Sequence, residues 1–118
     1  MGSPLLAEMM RRGVQLFDEG HFFEAHEAWE AHWLVETDET RRLVLQGLIQ
    51  IAAAFHKLFD KQAPEPAASL FAKGLAKLDA CPERLEGVNI GAFREQGRRY
   101  ASGATEGGLD RANVPQLG

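Results

Sequence analysis

The sequence predicts an all-α fold, a compact helical bundle in which one central helix, about residues 38–59, is surrounded by the others. Three observations lead there. Apolar residues recur three and four positions apart through successive segments, the spacing of one helix face. Runs that alternate apolar and polar between turn residues, the mark of strands, are absent. One segment, RRLVLQGLIQIAAAFHKLF, is apolar around most of its circumference, as a helix enclosed by others would be.

Pro4 suits the first turn of a helix that runs to about Asp18, with Leu6, Met10, Gly13 or Val14, and Phe17 at helical spacing, and Gly20 supplies its stop. A second helix spans about Phe22 to Val35. Thr37 or Asp38 caps the third, which continues to about Phe59 and keeps Gln46, Gln50 and Lys57 in a narrow polar strip. The linker KQAPEPA interrupts the pattern, and a fourth helix follows from about Ala67 to Ala80 with Leu70, Phe71, Leu75 and Leu78 on one face. A fifth runs roughly from Ile90 to Ala101, weakened by Gly91 and Gly97. Residues 1–102 thus form a single helical domain. Residues 103–118, Gly-rich and without periodicity, read as a mobile C-terminal tail.

With 118 residues the chain can bury one core but not two, and 45% hydrophobic with 25% charged residues is the balance of a folded, soluble domain. A net charge of -4, with no long segment rich in Lys or Arg, argues against nucleic acid and anionic membrane as partners. Cys81 is the single cysteine, so an intrachain disulfide and a thiolate-rich zinc site are both excluded, and a reducing cytoplasm is the expected compartment. No basic leader precedes an apolar run, and no stretch reaches the ~20 apolar residues of a membrane span.

The stretch GHFFEAHEAWEAHWL concentrates the candidate chemistry. Its His26, Glu27 and Glu30 begin like the zinc-protease signature His-Glu-x-x-His, but Glu30 stands where the second histidine belongs. A helical wheel gathers Phe22, Ala25, His26, Trp29, Glu30 and Trp33 on one face, which places an imidazole and a carboxylate four residues apart inside an aromatic stripe. Glu24, Glu27 and Ala31 fall on the opposite side, facing solvent or forming a groove wall. Antiparallel packing of the central helix brings His56 toward the start or middle of that face, with Gln50 or Glu27 nearby.

Three readings follow. The cluster is a satisfied polar contact that fixes helix packing. It is a first shell of His26, Glu30 and His56 for a divalent metal. Or it lines a pocket for a small organic ligand. The eight acids between Asp18 and Thr40, a span without Lys or Arg, would also attract a basic partner or a cation.

The segment from Phe17 to His56, with F-x-x-G-x-F-F-E-A-H-E-x-x-E-x-x-W and then L-x-Q-G-L-I-Q-I-A-A-A-x-H, resembles the uncharacterised bacterial, archaeal and plastid proteins of domain-of-unknown-function family 309. The resemblance implies a small all-helical domain around one central helix. It also implies that His26, Glu27, Glu30, Trp33, Gln46, Gly47, Gln50 and His56 occupy signature positions. The functional expectation is a binding or structural module with an inward-facing His/Glu/Gln cluster, taking a small molecule or a protein as partner. The alternatives are a small metal-dependent hydrolytic enzyme using His26, Glu30 and His56, and a tetratricopeptide-like peptide-binding module, since helix, G-x-F-F-E-A, helix resembles half of such a unit.

Overall fold

The computed structural model describes residues 4–85, 87–104 and 115–117. Helix α1 (Pro4–Asp18) ends where Gly20 takes a left-handed φ of 84°. The N–H groups of Gly20 and His21 then bond back to the carbonyls of Phe17 and Leu16, a Schellman closure that only a residue free of Cβ strain completes easily. Helix α2 (Phe22–Val35) returns antiparallel to it. Gly13 is buried because the Trp29 ring rests on it; a Cβ there would lie 2.1 Å from Nε1 of the indole. That N–H points to the Met10 carbonyl at 3.4 Å.

Asp38 caps helix α3 (Glu39–Phe55), its carboxylate accepting the Arg41 N–H at 2.9 Å. The helix continues as a π-helical turn over His56–Asp60, so the central segment reaches Asp60, one residue beyond its expected end. Val44, Leu45, Leu48, Ile51, Ala52 and Phe55 of α3 are buried. Helix α3 packs against α2 on one side and α4 on the other, as the apolar circumference requires. Its close partner is helix α4 (Pro64–Asp79), and the two cross at Gly47 and Gly74. A Cβ on Gly74 would meet the Gly47 carbonyl at 2.8 Å, so the backbones approach more closely than side chains permit.

Three boundaries differ from expectation. Helix α4 starts at Pro64, not about Ala67, because proline in the first turn forgoes only an N–H that has no helical partner. A minimal antiparallel pair, β1 (Arg84–Leu85) and β2 (Val88–Asn89), follows it where no strand was expected; Gly87, with φ 81°, makes the turn. Helix α5 (Ile90–Ala104) runs past Ala101. Arg94 anchors it by donating from one guanidinium nitrogen to the carbonyls of Leu78, in the last turn of α4, and Cys81, just beyond it.

Most of the segment expected as a mobile tail, residues 105–114 and 118, lies outside the described residues. At its far end Leu117 is buried in the main core and its N–H bonds to the Asp18 carboxylate at 2.8 Å. Around this core Phe17 touches Phe22, Trp29, Phe55 and Phe93, each ring pair within 5.9 Å. Among the described residues no helix is long and apolar enough to cross a membrane.

Candidate functional site

Helix α2 divides sharply. Phe22, Ala25, Trp29 and His32 are buried, whereas Phe23, Glu24, Glu27, Glu30, Ala31, Leu34 and Val35 are exposed. The inner face is therefore turned by roughly half a residue step from the expected stripe, at ~100° per residue. It takes in His32 and leaves out Glu30. The physical reason is at Trp33, which the expected wheel places in the core. Its ring is only partly buried and lies at the edge under the Arg42 guanidinium, 4.1 Å from the ring centre.

The seven candidate residues do not converge. His26 is partly exposed and Glu30 is 55% exposed, with His26 Nδ1 and a Glu30 oxygen 3.6 Å apart, beyond a good hydrogen bond. Glu27 is exposed. Gln46 is half-buried, and Gln50 turns to α4, where its amide oxygen accepts from Lys77 Nζ at 2.8 Å. Trp33 lies beneath Arg42, and its Nε1 is buried without a hydrogen-bond partner. His56 does come to the start of α2, as antiparallel packing predicts, but it meets Phe23 rather than His26. Its Nδ1 is 2.8 Å from the Asp60 carboxylate, an i,i+4 pair within the π-helical turn. Among the described residues no three His, Cys, Asp or Glu side chains are placed to hold a metal ion.

The buried polar cluster that does exist was not anticipated. His32 Nε2 lies 2.8 Å from Glu36 Oε1, and both side chains are 1% exposed. Arg41 Nε donates to the same oxygen at 3.1 Å, while the N–H groups of Thr37 and Asp38 donate to Oε2 at 3.1 Å. Burial alone would push the Glu36 carboxyl up; the hydrogen bonds from Asp38, His32 and Arg41 outweigh it and hold the group below the usual range. Since a carboxylate only accepts, Nε2 of His32 carries the proton, and Nδ1 is left buried without a partner. Arg42 completes the corner by donating to the carbonyls of Trp33 and Glu36, both at 2.9 Å. This cluster fastens the α2–α3 turn. Its sequence signal is His32 and Glu36 four apart, the same spacing as His26 and Glu30, with the acid just beyond the helix end.

What α2 presents outward is different in kind. Phe23, 40% exposed, packs its ring against His56 (5.1 Å, 25°) and lies near-parallel to His26 (6.3 Å, 15°). In both imidazoles Nδ1 faces an acid, Asp60 or Glu30. The result is a surface patch of three aromatic rings rimmed by carboxylates, set on two elements of the fold. Such a patch can stack on flat groups, receive cations and exchange protons. Cys81 offers no such chemistry: it is buried, and burial raises its thiol pKa more than nearby Arg94 lowers it.

A family model described as a domain of unknown function (DUF309) matches residues 10–70. A protein of Aquifex aeolicus (strain VF5), described as uncharacterized, is 30% identical over 88 residues, which make up 75% of this chain and 26% of that relative. The chain therefore spans about a quarter of the length of the curated relative it matches. The family match covers all of α2 and α3, and so both the buried corner and the Phe23 patch.

Proposed function

The chain belongs to the family of that domain of unknown function (DUF309), and from this premise we propose that it is a helical binding module with its recognition surface on the outward face of α2 and the adjoining π-helical turn. The observation that carries this reading is Phe23. A large apolar side chain, 40% open to water on a helix that carries three glutamates and no Lys or Arg, has its ring against two imidazoles from different elements. Isolated exposed apolar residues are common, but one built into a ring stack is pre-organised for contact. The π-helical turn that presents His56 adds weight, since such turns are frequent at functional sites. The acidic surroundings fit a protein or small-molecule partner and disfavour nucleic acid and anionic membrane. A reducing, cytoplasmic setting belongs to the same proposal, supported by the unpaired thiol of Cys81.

The test is a chemical-shift screen of isotope-labelled protein against a panel of acidic, neutral and basic peptides and small metabolites. Binding should move the resonances of Phe23, His26 and His56, and Phe23→Ala should abolish the shifts while leaving the melting temperature unchanged. A panel that moves nothing at these residues contradicts the proposal.

A second reading, a small hydrolytic enzyme, draws on one observation, the 2.8 Å His56–Asp60 pair, since a carboxylate on Nδ1 orients an imidazole for proton transfer. Its metal-dependent form has weaker support because His26, Glu30 and His56 do not gather around one point. Melting with and without added zinc tests that form: a stoichiometric, chelator-sensitive rise in melting temperature favours it.

A further inference from the structure

Along the outward face of α2 the exposed residues Phe23, Glu27, Glu30 and Leu34 stand at positions i, i+4, i+7 and i+11. At ~100° per residue they fall within one narrow stripe. Phe23 and Leu34, 40% and 72% exposed, are three helical turns apart, about 16 Å. Between these two apolar positions lie two carboxylates, with Glu24 beside them, and α2 carries no Lys or Arg. The spacing set 0, 4, 7, 11 reads the same in both directions, so a helix of complementary pattern fits it parallel or antiparallel.

We infer that this stripe docks a basic amphipathic helix of a partner protein, with two apolar side chains three turns apart resting on Phe23 and Leu34 and Lys or Arg between them meeting Glu27 and Glu30. The inference rests on the proposed binding role of the same face and names the partner's chemistry. Charge complementarity selects the occupant. A second copy of this chain, paired helix to helix, would set Glu27 and Glu30 against their own like charges, a destabilising arrangement in a molecule already at net charge -4. An acidic or neutral helix would cover the carboxylates without pairing them, at a desolvation cost. A basic helix satisfies both the apolar ends and the acidic middle, the arrangement of an amphipathic helix recognised by side chains at i, i+4, i+7 spacing.

The probe is a synthetic peptide of about five turns carrying leucines eleven positions apart, with lysines four and seven positions after the first leucine. Controls are a scramble of the same composition and a version with the lysines replaced by glutamate. Titrated into the full chain at low salt, the lysine peptide should bind at least tenfold more tightly than either control. Phe23→Ala and Leu34→Ala should each weaken it about tenfold. Paired Glu27→Gln and Glu30→Gln should weaken it several-fold and flatten its salt dependence. All four residues are exposed, so each variant should keep the wild-type melting temperature. Equal binding of the scramble, or binding untouched by Phe23→Ala, overturns the inference. So does a light-scattering dimer that Phe23→Ala dissolves, which would make a second copy the occupant. If the lysine peptide fails while an acidic or neutral peptide still shifts Phe23 and His26, the partner class is wrong and the binding role stands. If neither a peptide nor a small metabolite shifts them, both fall.

Discussion

Among the described residues Glu36 is the one acid that the fold encloses almost completely, and its surroundings decide what it contributes. Five donors converge on or beside its carboxylate and adjoining carbonyl, from His32, Thr37, Asp38, Arg41 and Arg42. Replacing it with alanine should cost on the order of 3 kcal/mol in urea unfolding, because His32 and the turn N–H groups lose their acceptor while shielded from water. The pH dependence has a definite sign. Glu36 ionises in the folded chain below its ordinary value of about 4.3, so the stability it adds is full above that value and drains as pH falls through the folded pKa. Unfolding midpoints measured from about pH 5 to pH 3 should therefore fall more steeply for the wild type than for Glu36→Gln. His26→Leu, by contrast, should change stability by less than about 1 kcal/mol, since its acid partner Glu30 is more than half exposed.

The buried pair is His32–Glu36 and the exposed one His26–Glu30, the opposite of what a helical wheel gives. The two His-x-x-x-Glu pairs have the same spacing in sequence, and both histidines sit on a helix rich in apolar residues. Choosing between them needs the direction of the buried face, which turns on whether Trp33 lies in the core or at its rim. A wheel counts an indole as core. The structure puts it under Arg42, a contact nine residues away that no local pattern reveals.

At the scale of elements, most of the helices were legible because their signals are local. Pro4, Gly20 and Asp38 act within a turn of themselves, and the apolar circumference of α3 needs no partner to be seen. The α3–α4 crossing was not, because Gly47 and Gly74 matter only to each other. Gly74→Ala should cost about 1–2 kcal/mol net, since a Cβ 2.6 Å from Ile51 and 2.8 Å from the Gly47 carbonyl forces the helices apart by more than the ~1 kcal/mol gain in helix propensity. Gly47→Ala should cost less, about 1 kcal/mol, because its nearest contact, 2.9 Å away, is a Leu78 methyl group and the Gly74 carbonyl stands slightly farther off at 3.1 Å. Thermal or urea unfolding of the two variants separates these outcomes. The prolines of KQAPEPA illustrate a different ambiguity: the same residues break a helix interior and begin a helix, and only the structure shows α4 starting at Pro64.

At the scale of the whole molecule, the chain closes on itself at Leu117, whose N–H reaches the end of α1, ninety-nine positions earlier in sequence. Such a contact has no periodic signature, which is why the Gly-rich segment before it reads as a free tail. Leu117→Ala should cost about 2 kcal/mol and lower the melting temperature by several degrees. An unchanged melting temperature would show that the C-terminal contact adds nothing. The larger division runs through α2, whose inner face holds the fold by Trp29, His32 and the Glu36 corner while its outer face holds Phe23, Glu27, Glu30 and Leu34 open.

Backbone amide shifts of the labelled chain, recorded during titration with the leucine–lysine helix at low salt, test that division most directly. Perturbations should follow Phe23, Glu27, Glu30 and Leu34 along one side of α2 and extend to His26 and His56, with little change around Glu36 and the α2–α3 turn. Shifts centred on the Glu36 corner, or no shifts on the Phe23 side, would contradict it.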